Sequence, residues 1–144
     1  MRSLAIVSFA ASLVGCSSTK LEGPGCPTEV AGDYAVTMKP VSGTCASLLG
    51  ASTEVMLLVT QGADGAVVAA VPGVSGGCPA PLDRSACRWS TTCELAGHGT
   101  SLGRVTLDYT FSKTGFEGTS SYVILPPSQP SACTILYEET ATKR

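Results

Sequence analysis

Val105-Thr106-Leu107-Asp108-Tyr109-Thr110-Phe111-Ser112 alternates apolar and polar residues without a break. Successive side chains of a β-strand point to opposite faces. This period of two therefore predicts a strand with Val105, Leu107, Tyr109 and Phe111 inward and Thr106, Asp108 and Thr110 in water. Lys113-Thr114-Gly115 follows as a turn, and residues 116–125 resume as a second strand, with Phe116, Tyr122 and Ile124 in one phase. Pro126-Pro127 stops that strand, and the short Gly-containing connection makes the pair a hairpin.

Working outward, further strands are expected at 33–39, 54–61, 66–71, 87–95 and 133–142. Gly62-Ala63-Asp64-Gly65 joins two of them tightly, and residues 46–51 have room for one helical turn. No stretch beyond the N-terminal segment carries a 3.6-residue apolar stripe. The fold class that follows is all-β: a small antiparallel barrel or sandwich of about seven strands.

The chain has seven cysteines in 144 residues. Cys16 stands apart, and the other six are Cys26, Cys45, Cys78, Cys87, Cys93 and Cys133, which read as three disulfides. No pair has the C-x₂-C spacing and His98 is the only histidine, so no metal site is expected. In a continuous strand Cys87 and Cys93 share a face but lie about 20 Å apart at 3.3 Å per residue, so each must pair elsewhere unless Ser90-Thr91-Thr92 forms a turn. Cys78 and Cys87 flank a Pro79/Pro81 loop and are expected to close it. Cys45 and Cys133 fall at the same end of an up-and-down closed sheet, where the first and last strands are neighbours. Cys26–Cys93 remains.

At the N-terminus Arg2 precedes an uncharged apolar run over residues 4–14, ending in Leu13-Val14-Gly15-Cys16. Eleven residues at 1.5 Å span roughly 16 Å as a helix, short of the ~30 Å hydrocarbon core, so this is a signal segment and not a membrane span. It resembles the lipobox of bacterial lipoproteins, which implies diacylglycerol on the Cys16 thiol, removal of residues 1–15 and a further acyl chain, palmitate in kind, on the new amino group. Ser17 stands where Asp tends to retain Gram-negative lipoproteins in the inner membrane, so the resemblance implies an outer-membrane, cell-envelope address. The organisation expected is a signal peptide at 1–15, a lipidated tether at 16–25 ending in Gly23-Pro24-Gly25, and one β domain at 26–144.

Without its signal the chain keeps 129 residues, with eight basic against eleven acidic side chains, a net charge of −3. No basic run is present, which argues against nucleic acid as a partner. Gly99-Thr100-Ser101-Leu102-Gly103 matches G-x-S-x-G, but a strand follows the serine where a nucleophile elbow needs a helix, and His98 precedes it. His98 is read as an exposed loop residue. The carboxylates are scattered, Asp108 on a wet strand face and Glu138-Glu139 in the last strand, with no pairing visible in sequence. No catalytic residue and no cofactor are expected.

Gly32-Asp33-Tyr34 resembles the G-x-W start of lipocalin and related calycin barrels, with Tyr in place of Trp. More broadly, Gly43-Thr44-Cys45, Ser131-Ala132-Cys133 and Tyr137 look like small, cysteine-rich, β-rich bacterial lipoproteins of unknown function. That resemblance implies an address and a fold without an activity. The function expected is non-catalytic binding: a membrane-anchored module engaging an envelope protein or a small apolar ligand, with Tyr34, Tyr109, Phe111 and Tyr122 lining the pocket. The alternative is a structural envelope or surface-coat accessory without a discrete ligand, with a hydrolase a distant third. An open interior favours binding and a filled one the structural role.

Overall fold

The computed structural model describes residues 25–45, 50–71, 74, 76–97, 100–125 and 131–144. The signal segment, Cys16 with the tether up to residue 24, residues 46–49 of the expected helical turn, and His98-Gly99 lie outside the described residues.

The alternation at 105–112 belongs to a strand spanning Thr100–Phe111, and Val105, Leu107, Tyr109 and Phe111 are all buried on its inward face. Seven other strands complete the sheet: β1 (Gly32–Gly43), β2 (Thr53–Gln61), β3 (Ala66–Ala70), β4 (Cys78–Pro81) and β5 (Arg88–Gly97) before that strand, β6, and β7 (Gly115–Ile124) and β8 (Cys133–Lys143) after it. All pairings are antiparallel, in the order β4-β3-β2-β1-β8-β7-β6-β5. The chain is thus an up-and-down meander closed by β1 on β8, and the sheet forms a nearly closed barrel, its free edges β4 and β5 brought together.

One strand more is present than the sequence predicts. Pro79 and Pro81 mark residues 78–81 as a loop, yet they form β4, paired with β3 through Ala66↔Pro81 and Ala69↔Cys78. Alternate residues of a strand turn their N–H groups to the same edge, so two prolines two apart strip one edge of donors. β3 holds the other edge, and the bare edge faces β5. That seam is bridged by side chains: the Trp89 indole Nε1 donates to Ala80 O at 3.1 Å, and Thr91 Oγ1 donates to Pro79 O at 3.4 Å.

Three disulfides are present, Cys26–Cys87, Cys45–Cys133 and Cys78–Cys93. The Cys45–Cys133 expectation holds, for the stated reason that β1 and β8 are neighbours; Thr44 N and Cys45 N both donate to Thr134 O beside it. The expected Cys78–Cys87 and Cys26–Cys93 pairs are exchanged, and the hidden strand is the cause. Asp83 and Arg88 form a bridge, with mutual backbone bonds of 2.9 and 3.1 Å. Five residues out on each arm, that register sets Cys78 against Cys93, while Cys87 lies inside the turn. Cys87 has φ +53° and is buried toward the end of the barrel where Cys26 arrives.

That end is plugged by residues 25–31. Val30 is fully buried, Tyr34 Oη donates to Val30 O at 2.6 Å, Arg84 donates to Pro27 O and Thr28 O, and Lys143 Nζ donates to Glu29 O. Gly103, in place of the second glycine of G-x-S-x-G, is a strand residue at the bulge between Leu95 and Ala96. It has φ +134°, and a Cβ there would sit 1.8 Å from Val123 O. The glycine is required by the close approach of β7, and Ser101 pairs with Ala96 in the β5–β6 ladder. Ser101 thus lies within a strand.

Candidate ligand-binding cavity

The inward faces of eight strands fill the barrel unequally. At the plugged end Tyr34, Phe111 and Phe116 pack together, with ring centroids 5.2–6.1 Å apart. Phe116 stacks on Tyr109 at 4.3 Å, and Tyr109 on Trp89 at 5.8 Å. This aromatic stack fills the interior at the plugged end. An eight-stranded barrel is just wide enough for side chains to fill or for one small ligand.

Above the stack the side chains thin out and leave a cavity of about 300 Å³. It lies toward the end carrying the β1–β2, β3–β4, β5–β6 and β7–β8 connections. Val36, Leu57, Leu107 and Ile135 form its apolar wall, and Tyr109, Tyr122, Tyr137 and Glu139 supply its polar groups. The size is at the low end of small-molecule sites, and an apolar wall with a few convergent polar groups is their usual make-up.

Of the four residues expected to line a pocket, Tyr109 and Tyr122 do so. Tyr34 and Phe111 do not: they belong to the stack that closes the far end. The reason is position along the strand. Tyr34 is the third residue of β1 and Phe111 the last of β6, and both sit at the plugged end.

Glu139 is the residue that sequence reading passed over. It shares parity with Ile135, Tyr137 and Ala141 on β8, so strand geometry turns it inward, and it is only 4% exposed. Its neighbours across the sheet are Met38 on β1 and Gly118 on β7, and Gly118 is in turn paired with Tyr109 on β6. Gly118 has no side chain to stand between the two, and a Cβ there would lie 2.0 Å from Asp108 O. Across that gap Tyr109 Oη donates to Glu139 Oε2 at 2.7 Å, and Ser120 Oγ donates to Oε1. Ser120, fully buried, shares the inward parity of Phe116, Tyr122 and Ile124. Both donors were thus legible as inward residues once their strands were phased.

Burial raises the Glu139 carboxyl above its ordinary 4.5, and the hydrogen bonds from Ser120 and Tyr109 partly oppose that rise. The same burial, with the Glu139 charge adding to it, pushes the Tyr122 hydroxyl up to about 12 and raises Tyr109 and Tyr137 also. No lysine or arginine pairs with Glu139 among the described residues. The Arg88–Asp108 ion pair lies on the outer face, where Arg88 holds the Asp108 carboxyl low. All six domain cysteines are in disulfides and offer no thiolate to a metal.

No family model, curated protein or solved structure matches the chain.

Proposed function

We propose that this protein is a lipid-anchored lipoprotein of the bacterial envelope, outer membrane in location, that binds a small, mainly apolar molecule inside its barrel without catalysis. The observation that carries the binding reading is the 300 Å³ cavity with its apolar wall and four clustered polar groups. A structural accessory has no need of an interior left open above a well-packed aromatic stack, because filling it with larger side chains would add stabilising contacts. The Leu13-Val14-Gly15-Cys16 pattern supports the anchor. The chain enters the domain at Gly25–Cys26, at the plugged end, so an anchor at Cys16 attaches to the side opposite the cavity. The cavity end then points away from the bilayer, toward ligand in the aqueous space.

The single tryptophan gives a direct readout, since Trp89 stacks on Tyr109 and Tyr109 lines the cavity. The neutral fluorophore N-phenyl-1-naphthylamine should bind saturably, one per protein, with a change in Trp89 emission. Val55→Phe, at a half-buried lining position, should weaken that binding while the domain stays folded. Absence of any saturable site in the folded wild-type protein would refute the reading.

A further inference from the structure

Resting on the cavity reading, we infer that the ligand is a small organic amine, bound as its ammonium form with the charged nitrogen at the Glu139 carboxylate and the apolar body against the barrel wall. Three observations converge. First, the carboxylate is taken out of water by the barrel, and among the described residues its charge is met by two hydroxyl donors, Tyr109 Oη and Ser120 Oγ, and by no cation. A buried charge without a countercharge is costly, and a ligand cation would supply the missing half of the pair.

Second, aromatic rings surround the same corner. Tyr109, Tyr122 and Tyr137 all line the cavity with Glu139, and Tyr122 and Tyr137 meet edge to face at 5.8 Å between centroids. A ring face attracts a cation, and tyrosines around a carboxylate favour an ammonium group over a carboxylate or phosphate ligand. Third, the two hydroxyl donors approach different carboxylate oxygens. They hold the group in one orientation while each oxygen retains a second lone pair for a ligand N–H. Facing Glu139 from the packed strands are Tyr109 on β6, Ser120 and Tyr122 on β7, Tyr137 on β8 and the uncharged Met38 on β1.

The test is a matched set of ligands of one shape: 4-phenylbutylamine, 4-phenylbutanol and 4-phenylbutyrate, titrated calorimetrically into the wild-type protein. At pH 8 the amine should bind at least tenfold more tightly than the alcohol, and the acid more weakly than both. Glu139→Gln should bring the amine-to-alcohol ratio to about one. Should that variant not fold, the wild-type protein at falling pH makes the same measurement. The amine stays charged while Glu139 takes up a proton, and the preference should disappear before pH falls to the ordinary glutamate range. Equal binding of amine and alcohol would overturn the amine inference and leave the cavity reading standing. Preference for the acid would overturn it in favour of a protonated Glu139 donating to the ligand. Binding of none of the three, together with no naphthylamine site, would overturn both.

Discussion

Cys78 and Cys93 stand opposite one another, Cα atoms 5.8 Å apart, across the seam between β4 and β5, which no backbone ladder crosses among the described residues. The prolines of β4 remove the donors a ladder would need, so beyond the Asp83–Arg88 bridge at one end of the seam the disulfide and the Trp89 and Thr91 side chains hold the barrel shut there. Elsewhere closure is made by main-chain bonds, as in the β1–β8 pairing.

This sets a specific expectation for disulfide removal. On loop entropy alone, Cys78–Cys93, separated by 15 residues, is worth about 3 kcal/mol, and Cys45–Cys133, separated by 88, roughly 4.5 kcal/mol. Cys45→Ala/Cys133→Ala should therefore lower the urea midpoint more. Cys78→Ala/Cys93→Ala should instead open the seam locally, with amide exchange in β3, β4 and β5 faster than global unfolding allows. Uniform protection across all eight strands in that second variant would show that the disulfide is not what keeps the seam closed.

The strand pattern was legible where one face is wet, because alternation is then written into the residues, as at Val105 to Phe111. It failed at residues 78–81 because proline reads as a breaker unless the strand is known to be an edge, and edge status is a property of the whole sheet. That one omission also exchanged two disulfides, since the position of Cys78 opposite Cys93 exists only when β4 exists. Glu139 was readable by parity with Ile135 and Tyr137, but a charged residue next to a second glutamate looks like a solvated face. What turns it into a site is Gly118, which lies between Glu139 and Tyr109 across the sheet, and pairings of that kind emerge only with the register. The depth of Tyr34 and Phe111 was likewise hidden: alternation says which face a side chain takes and nothing about its height in the barrel.

Inward and outward neighbours on β6 should respond unequally to truncation. Leu107 is 1% exposed, and Leu107→Ala should destabilise by roughly 2–5 kcal/mol, toward the lower figure because its side chain borders the cavity and not a fully packed neighbour. Asp108 pairs with the exposed Arg88 guanidinium, and solvent screens such pairs, so Asp108→Ala should shift the urea midpoint by a small fraction of that. Similar midpoints for the two variants would contradict the inward assignment of Leu107.

For the anchor, Cys16→Ser should abolish incorporation of labelled palmitate and leave an uncleaved or soluble species, because the thioether forms at that sulfur. Ser17→Asp should move the protein toward the inner membrane on fractionation. Palmitate labelling that survives Cys16→Ser would remove the lipoprotein reading while leaving the cavity untouched.

Glu139 should leave a signature in the pH dependence of stability. Its folded pKa lies above its ordinary 4.5, burial being the dominant cause. Below 4.5 both folded and unfolded chains hold the proton and the group contributes nothing to the difference. As pH rises from there through the folded pKa, the native state retains a proton that the unfolded state has lost, so stability falls, and above the folded pKa the loss is complete and constant. Glu139→Gln has no such proton, and contributions common to the two proteins cancel in the difference between them. The gap in urea midpoint between variant and wild type should therefore widen in favour of Glu139→Gln as pH rises above 4.5, then level off. If the hydrogen bonds from Tyr109 and Ser120 outweighed burial, the folded pKa would lie below 4.5 and the sign would reverse, with wild type gaining on the variant as pH rises. The direction of that slope decides which of the two forces governs the carboxylate in the cavity wall.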